Sequence, residues 1–284
     1  MKEFENQANI ITQVLPYIKE YQGEVLVIKY GGNAMTDSNL KKLVMNDILL
    51  LSTVGIKVVL VHGGGPEINQ MLSKTNKKSK FLNGLRVTDD ETMDIVQMVL
   101  AGKTNKDLVN LIGSIGGRAI GLSGVDGKLI VAKKLNEELG NVGDITKINS
   151  QIIYDMMDKG YIPIISTIAC DDDGNVYNIN ADTAASAIAG ALKAKALITM
   201  TDIKGLMRDI KDENSLIPEV KVSEVKALVK EGIISGGMIP KIESCVEAIR
   251  QGVEKVFIID GRLPHSILIE VLTNAGVGTM FKGV

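Results

Sequence analysis

The chain has 284 residues, 45% of them hydrophobic, so it can bury a large core as one α/β domain or as two closely packed lobes. Its 32 Lys and Arg side chains nearly balance its 34 Asp and Glu side chains, which argues against nucleic-acid binding. The polar N-terminus shows no signal peptide, and no apolar run approaches the roughly 18 residues of a membrane span. We expect a cytoplasmic protein without a membrane partner, in which Cys170 and Cys245 are buried thiols.

The first predicted element is an amphipathic helix over residues 6–20. Its apolar side chains recur at helical spacing, and Pro16 inside the pattern should kink it. The helix precedes the first buried strand, so the sheet does not require it. It packs either on its own subunit or on another subunit, and periodicity alone favours the first.

Two short apolar runs, residues 25–30 and 58–62, each end in glycines and are followed by helix-like segments. Such runs are typical of strands buried on both faces of a parallel sheet. The glycines at their carboxyl ends, Gly31–Gly32 and 63–65, leave backbone N–H groups free for an anion. Because Lys29 lies two residues before the first of them, the pattern indicates phosphate chemistry.

Strand and helix patterns alternate along the rest of the chain. Asp37 or Ser38 is a suitable N-cap for the first helix after the glycines. Predicted helices cover 39–54, 66–74, 89–115 with an interruption near Gly102, 149–159, 180–191, 223–231, 240–251 and 265–274. Predicted strands cover 57–62, 161–165, 196–200, 254–259 and 279–281, and residues 118–146 suggest a β-hairpin excursion. This alternation predicts a mainly parallel sheet with helices on both faces.

Several common site motifs are absent. The segment Gly102-Lys103-Thr104 resembles the end of a P-loop, but Gln97 stands where the first glycine is needed. The glycines at 63–65 are followed by Pro66, which breaks the dinucleotide fingerprint. With only two histidines and no G-x-S-x-G segment, a hydrolase triad is disfavoured as well.

Four charged residues in glycine-rich or helix-start settings remain as candidates for a site. Lys29 ends a buried strand, where an unpaired ammonium is costly. Arg86 follows a turn and can clamp a carboxylate, or it is a surface arginine. Asp182 and Lys241 lie near helix starts, where an ordinary helix acid and a solvated lysine are equally reasonable interpretations.

Taken together, these pieces resemble the amino acid kinase family, and within it the branch that phosphorylates N-acetyl-L-glutamate. The resemblance covers nearly the whole chain and rests on six motifs in order. They are Lys29-Tyr-Gly31-Gly32-Asn33, His62-Gly63-Gly64-Gly65-Pro66, Asn83-Gly84-Leu85-Arg86-Val87-Thr88, Asn178-Ile-Asn180-Ala181-Asp182, Thr201-Asp202-Ile-Lys-Gly205-Leu206 and Gly236-Gly237-Met238-Ile-Pro-Lys241.

The resemblance implies an αβα sandwich around an eight-stranded, mainly parallel sheet with an extra kinked N-terminal helix. It implies three parts: residues 1–22 as the N-terminal helix for oligomerisation and regulation, residues 23–170 as an N-terminal lobe for the acyl amino acid and dimerisation, and residues 171–284 as a C-terminal lobe for ATP and regulation. ATP is the implied co-substrate, with Mg²⁺ bridging its phosphates and few protein ligands.

Residue roles carry over on the matching motifs. The resemblance implies that Lys29 and Lys241 contact the phosphoryl group and that Asp182 holds both lysines. Gly31, Gly32 and Gly64 would offer N–H groups to the phosphoryl group. Substrate would be bound by Gly64, Gly65, Arg86 and Asn178, and the nucleotide by Thr201, Asp202, Gly205 and Leu206.

The segment at 260–280 resembles the C-terminal signature of the arginine-inhibited members, which also carry a kinked N-terminal helix. This favours the intersubunit interpretation of residues 6–20 and implies a homo-hexamer, a trimer of dimers, inhibited by L-arginine. The implied arginine-binding residues are Glu270, His265, Gly278 and Tyr17.

Three alternatives stay open at this stage. The first is a related kinase that acts on another carboxylate, on carbamate or on an amino-adipyl substrate. The second is a non-catalytic sensor of arginine or nucleotide, against which the intact set Lys29, Asp182 and Lys241 counts. The third, a nicotinamide-dependent dehydrogenase, is disfavoured because the dinucleotide fingerprint is missing.

Overall fold

A computed structural model describes residues 2–209 and 211–283, and its centre is an eight-stranded sheet. The strands of this sheet are β1 (Val25–Tyr30), β2 (Lys57–His62), β5 (Ala119–Ser123), β8 (Ile162–Ser166), β11 (Ala196–Thr201), β12 (Glu219–Lys221), β13 (Lys255–Asp260) and β14 (Thr279–Lys282). Their spatial order is β12-β14-β13-β11-β1-β2-β8-β5. Neighbouring strands are parallel except β13 and β14, which confirms the mainly parallel sheet.

Helices cover both faces of this sheet. The helices of residues 2–209 and 211–283 are α1 (Lys2–Gln13), α2 (Leu15–Tyr21), α3 (Ser38–Thr53), α4 (Gly65–Lys74), α5 (Asp90–Gln97), α6 (Asn105–Ser114), α7 (Gln151–Asp158), α8 (Ala181–Ala191), α9 (Val225–Lys230), α10 (Met238–Arg250) and α11 (Ser266–Leu272). Successive side chains of β1 enter different cores: Val27 joins one with α8 and α10, whereas Leu26 and Ile28 join another with α3 and α11. The αβα sandwich is therefore confirmed, and β1 packs against a hydrophobic core on each of its two faces.

The N-terminal helix is bent, as the sequence predicts. Its two segments, α1 and α2, meet at Val14, and Pro16 lies in the first turn of α2, where its missing N–H costs no helical hydrogen bond. Tyr21 at the end of α2 is buried against the core beneath α11, whereas Ile10 and Ile11 on α1 are exposed.

Two regions differ from the sequence-based prediction. The predicted excursion at 118–146 contains a hairpin of β6 (Ile130–Lys134) and β7 (Gly143–Ile148), but β5 leaves it to form the edge of the main sheet. The hairpin extends a second sheet with β9 (Ile168–Cys170) and β10 (Val176–Asn178). The predicted interruption near Gly102 is instead a π-helix, Met98–Thr104, so α5 and α6 form one continuous helical path.

Local chemistry explains the best-predicted boundaries. Oδ1 of Asp37 accepts hydrogen bonds from the N–H groups of Asn39 and Leu40 and so caps α3. A two-stranded hairpin, β3 (Phe81–Leu82) and β4 (Leu85–Arg86), turns through Asn83 and Gly84, both with positive φ. Cys170 and Cys245 are both buried free thiols. No helix in the described ranges is long and apolar enough to cross a membrane.

Candidate active site

The carboxyl ends of three neighbouring strands define the site. Strand β1 lies between β2 and β11. Strands β2, β5 and β8, which come next in the sequence, lie on one side of β1, and β11 to β14 lie on the other. Ligands bind open α/β sheets in the crevice beyond such a switch point. Lys29, the glycines after His62, and Thr201 with Asp202 all lie at this edge, because each follows or ends one of these strands.

A buried charge cluster joins three elements at this crevice. The Nζ of Lys29 at the end of β1 lies 2.8 Å from Oδ1 of Asp182, an ion pair without the alignment of a hydrogen bond. The Nζ of Lys241 donates a hydrogen bond of 2.9 Å to Oδ2 of the same carboxylate. Lys29 is buried, whereas the Lys241 side chain is 31% exposed. The three residues predicted to be catalytic therefore meet at one point.

The carboxylate of Asp182 stays ionised despite its burial. Desolvation by itself raises the pKa of Asp182, but the ammonium groups of Lys29 and Lys241 outweigh it and lower the pKa to about 2. One carboxylate thus faces two ammonium groups, and the cluster carries a net positive charge. Asp182 and Lys241 also lie in the first turns of α8 and α10, where the helix dipoles favour an anion.

The glycines of the two strand ends surround this cluster. A Cβ on Gly31 would lie 3.1 Å from Nζ of Lys29, and one on Gly32 would lie 2.8 Å from Oδ1 of Asp202. Gly64 is the tightest, because a Cβ there would lie 2.5 Å from Cδ2 of Leu100. Within residues 2–209 and 211–283, no group accepts a hydrogen bond from the N–H of Gly64 or Gly65. These N–H groups are therefore available to a ligand.

A first cavity of about 190 Å³ lies on the β2 side of the cluster. Its walls include Gly64, Gly65, Arg86 and Asn178, so the four residues predicted to bind substrate are brought together. None of the other wall residues was predicted to bind substrate, although several of them belong to the family motifs. They are Gly63, Ile68, Phe81, Gly84, Leu85, Leu100, Val142, Thr167, Ile179, Asn180 and Ala181.

Arg86 is held rigidly in this wall. Its Nη1 donates to Oγ of Ser79 at 2.7 Å, its Nη2 donates to the carbonyl of Gly65 at 3.3 Å, and its guanidinium lies 4.8 Å from the ring centroid of Phe81. Burial lowers the pKa of Arg86, and no carboxylate neutralises it in these contacts. Asn178 is oriented by a bond of 3.2 Å to Oγ1 of Thr88. An anchored, unpaired guanidinium suits a carboxylate ligand.

A second cavity of about 390 Å³ lies on the β11 side. Lys29, Gly32, Thr201, Asp202 and Lys241 line it, together with Met200, Ile203, Ser235, Gly237 and Met238. Two residues predicted to bind nucleotide do not reach its wall. Leu206 is buried and its N–H donates to Oγ1 of Thr279 at 2.8 Å, and Gly205 packs on the same threonine. These two residues join the loop after β11 to β14.

The residues predicted to bind arginine lie elsewhere, around α2 and α11. Tyr17 on α2 is half-buried, and α2 packs against α11, which carries Glu270. Oε2 of Glu270 accepts a bond of 2.7 Å from the N–H of Val277. Nδ1 of His265 lies 2.6 Å from Oδ1 of Asp47, and a side chain at Gly278 would collide with the carbonyl of Ile258.

Metal ligands are sparse around the cluster. Among the described residues, no group of three or more His, Cys, Asp or Glu side chains could hold a metal ion. Asp202 is the carboxylate that lines the second cavity. Mg²⁺ in phosphoryl-transfer sites is held by substrate phosphates, water and one or two carboxylates, so this donor set fits a metal that arrives with a nucleotide.

The amino-acid sequence of the chain is similar to that of a known protein family. Residues 24–260 match the model of the amino acid kinase family. The chain is 55% identical to an acetylglutamate kinase of Clostridium kluyveri, over 96% of this chain and 97% of that protein. It is 54% identical to an acetylglutamate kinase of Brachyspira hyodysenteriae, over 97% and 96% of the two chains.

A solved structure supports the same fold. The N-acetylglutamate synthase of Neisseria gonorrhoeae, solved with coenzyme A and N-acetyl-glutamate, superposes with a TM-score of 0.85 at 24% identity. The match covers 98% of this chain and 63% of that one, so the chain spans less than two thirds of the synthase. The family match and the near-full-length identity to two curated kinases lead to one conclusion: the chain belongs to the amino acid kinase family and, within it, to the acetylglutamate kinases.

Proposed function

We propose that the protein transfers the γ-phosphoryl group of ATP to the side-chain carboxylate of N-acetyl-L-glutamate, forming N-acetyl-L-glutamyl 5-phosphate for arginine biosynthesis. The observation that carries the proposal is the cluster of Lys29, Asp182 and Lys241. Its two lysines line the second cavity, and Ala181, next to Asp182 in the chain, lines the first. The choice of N-acetyl-L-glutamate as the substrate follows from the similarity of the chain to acetylglutamate kinases.

The reaction needs cations and N–H donors rather than a base. The attacking carboxylate is already ionised near neutral pH, so no proton has to be removed from it. Its approach to a triphosphate is opposed by repulsion between anions, and charge spreads over the phosphoryl oxygens during transfer. Lys29 and Lys241 would neutralise that charge, and the N–H groups of Gly31, Gly32 and Gly64 would bind the same oxygens. Asp182 would fix the two ammonium groups in place.

The acyl amino acid would occupy the first cavity. The guanidinium of Arg86 and the side-chain amide of Asn178 would bind the α-carboxylate and its neighbours, with Gly64 and Gly65 close to the reacting end. This arrangement would direct the side-chain carboxylate toward the charge cluster. We assign this cavity mainly to an N-terminal lobe of residues 23–170, with Asn178 and its neighbours contributed by the C-terminal lobe.

ATP would occupy the second cavity, mainly in a C-terminal lobe of residues 171–284, with Lys29 and Gly32 contributed by the N-terminal lobe. Thr201 and Asp202 line it, and the N-terminus of α10 faces it through Gly237 and Met238. Mg²⁺ bound to the phosphates would supply further charge neutralisation, and Asp202 is the residue best placed to hold it.

A coupled assay of ADP release tests the proposal. N-acetyl-L-glutamate, L-glutamate, L-aspartate and carbamate are compared at equal concentration with ATP and Mg²⁺. We expect N-acetyl-L-glutamate to be turned over at least tenfold faster than any other acceptor. Only this acceptor can contact both the carboxylate-binding residues and the apolar residues of the first cavity. Equal turnover of free glutamate would contradict the acyl-specific assignment, and turnover of carbamate alone would favour a related kinase.

We also propose that the protein is a hexamer, a trimer of dimers, inhibited by L-arginine. Phe4, Ile10, Ile11 and Leu15 expose 48–72% of their surface on α1 and α2, the two segments of the bent N-terminal helix, and so offer an apolar face to another subunit. Tyr17 lies on α2, which packs against α11, the helix that carries Glu270, and His265 and Gly278 flank that helix. Arginine bound there would act through the assembly, by preferring a less active arrangement.

Removal of residues 1–20 tests both parts of this second proposal. The truncated protein is expected to sediment as a dimer and to need a higher arginine concentration for half-inhibition, while its turnover without arginine stays near that of the full chain. A truncated protein that remains hexameric and equally sensitive to arginine would contradict the role of this helix.

A further inference from the structure

His62, at the end of β2, is buried beneath the glycine turn, and both of its ring nitrogens have partners. Its side chain has no exposure to solvent. Nδ1 lies 2.8 Å from the carbonyl oxygen of Gly63, and Nε2 lies 3.2 Å from Nδ2 of Asn105. The ring therefore has no nitrogen left to exchange a proton with a ligand in either cavity.

The partners of Asn105 fix the proton on the imidazole. Nδ2 of Asn105 also lies 2.8 Å from the carbonyl of Ile164 and 3.2 Å from that of Leu122, and carbonyls only accept. Oδ1 of Asn105 accepts from Nζ of Lys106 at 3.1 Å, which fixes the orientation of the amide. Because Nδ2 can only donate, Nε2 of His62 must accept, and the proton lies on Nδ1. Burial agrees with this neutral form, since it lowers the pKa of His62 to about 4.

This tautomer determines where the glycine turn directs its N–H groups. Nδ1 of His62 donates to the carbonyl of Gly63, while the N–H of Gly63 donates to the carbonyl of Tyr30 at 3.1 Å. In a planar trans peptide, the C=O of one residue and the N–H of the next are directed oppositely. Holding the Gly63 carbonyl toward His62 therefore directs the N–H of Gly64 away from the ring. Gly64 and Gly65 line the first cavity.

We infer that His62 is a positioning residue for phosphoryl transfer, which sets the Gly63–Gly64 peptide so that the Gly64 N–H meets the transferring group. The inference rests on the proposed function and names no new contact with substrate. A preorganised donor contributes to the rate because it needs no reorientation as charge develops. A peptide released from His62 can rotate, so its N–H is correctly placed for only part of the time.

Two amide variants separate positioning from packing. His62→Asn places an amide nitrogen near the location of Nδ1, so it can still donate to the Gly63 carbonyl. His62→Gln is its matched control: the longer side chain carries the amide toward Nε2 and Asn105 instead. In His62→Asn the amide of Asn105 loses one of three acceptors, but the two carbonyls still accept both of its hydrogens.

Steady-state kinetics with N-acetyl-L-glutamate and ATP provide the readout. We expect kcat of His62→Gln to fall about tenfold to a hundredfold, with either KM changed less than about threefold, since a misdirected donor acts mainly in the transition state. We expect kcat of His62→Asn to stay within about threefold of the unmodified enzyme. His62→Leu, which lacks any donor, should resemble His62→Gln and takes its place if that variant does not fold.

The outcomes distinguish the inference from the proposed function. Turnover of N-acetyl-L-glutamate by the unmodified enzyme tests the function alone, whereas the ratio between the Asn and Gln variants tests the role of His62. Equal kcat values for His62→Asn and His62→Gln, or an unchanged kcat in His62→Leu, would overturn the inference. A break in the kcat–pH profile between pH 4 and 6.5 that disappears in His62→Asn would also overturn it, because it would make His62 a proton-transfer group.

Discussion

The Nζ of Lys241 donates a hydrogen bond of 2.9 Å to Oδ2 of Asp182, which joins the first turns of two helices, α10 and α8. The second oxygen of the same carboxylate faces the ammonium of Lys29 at 2.8 Å. One side chain on α8 thus sets the distance between a cation from β1 and a cation from α10. The cluster is assembled from three distant parts of the chain, and its charges can be removed one at a time.

Replacement of either lysine should damage turnover more than binding. For Lys29→Ala and Lys241→Ala we expect kcat to fall by about 10²–10³, by analogy with other groups that stabilise transition-state charge, with small changes in KM. Steady-state kinetics measure both. Lys57→Ala, which removes an exposed ion pair with Asp158, is the matched control and should leave kcat unchanged. A lysine variant with near-normal kcat would show that its ammonium is not at the reacting group.

Removal of the charge at Asp182 should be similarly damaging. Asp182→Asn keeps the shape of the side chain but removes the negative charge between the ammonium groups of Lys29 and Lys241, so the two cations repel each other and separate. We expect a fall in kcat of about 10²-fold or more, consistent with the loss of two positioned cations. Circular dichroism checks that the variant is folded, and a folded variant with unimpaired kcat would contradict the role of this carboxylate.

Arg86 should act on binding. A substrate carboxylate is present in the ground state and in the transition state alike, so Arg86→Ala should raise the KM for N-acetyl-L-glutamate about tenfold or more, as expected for a lost charge-assisted pair. The KM for ATP should change little. Arg118, whose guanidinium stacks on Tyr161 at 4.4 Å outside either cavity, is the control, and Arg118→Ala should bind substrate normally. A fall in kcat at constant KM would place Arg86 at the reacting atoms instead.

His62 should make the stability of the protein depend on pH. Burial lowers the pKa of this imidazole from 6.5 to about 4, so between these values the unfolded chain binds a proton that the folded chain does not. The contribution of neutral His62 to the free energy of unfolding is complete above pH 6.5 and is lost as the pH falls toward 4, by up to about 3 kcal/mol at ~1.36 kcal/mol per pKa unit.

Urea unfolding of the unmodified protein and of His62→Asn across this pH range measures the effect. The unmodified protein should lose more stability on acidification than the variant, because asparagine does not titrate. Parallel curves for the two proteins would contradict the burial of a neutral imidazole.

Inhibition by arginine should depend on the charge of Glu270. Its Oε2 accepts the N–H of Val277, so an alanine would disturb the loop as well as the charge. Glu270→Gln keeps an acceptor oxygen for that bond and removes only the negative charge. We expect the arginine concentration for half-inhibition to rise about tenfold or more, and turnover without arginine to stay normal. An unchanged arginine titration would remove Glu270 from the proposed site.

The sequence predicts the parts of this site that depend on local chemistry. Strand β1, its glycines and the cap of α3 follow from apolar runs and short-range hydrogen bonds, and the predicted element boundaries match to within a few residues. The meeting of Lys29, Asp182 and Lys241 was implied only by the family motifs, since helix periodicity does not specify which helix ends converge. Leu206 shows that a family motif does not assign a role to each of its residues. The segment of Leu206 begins at the site, but its own side chain packs in the core.

Tertiary packing accounts for the features that the sequence did not indicate. Gly102 indicates a break in a helix, yet the helical path continues as a π-helix, which brings Leu100 against Gly64. The tautomer of His62 depends on Asn105, 43 positions along the chain. Neither relationship has a signature in spacing or composition, because each depends on which surfaces face each other after folding.

The unbroken sheet has a consequence for how the two proposed lobes can move. Strand β1 pairs with β2 on one side and with β11 on the other, so the border between the lobes is a continuous ladder of backbone hydrogen bonds instead of a flexible linker. A hinge would have to break that ladder, whereas a small change of twist between adjacent strands leaves it intact. A small change of twist is therefore the motion that this continuous sheet permits most readily. Elastic twisting of small amplitude would bring the carboxyl ends of β2 and β11 closer together or farther apart, and the lysines and glycines would follow.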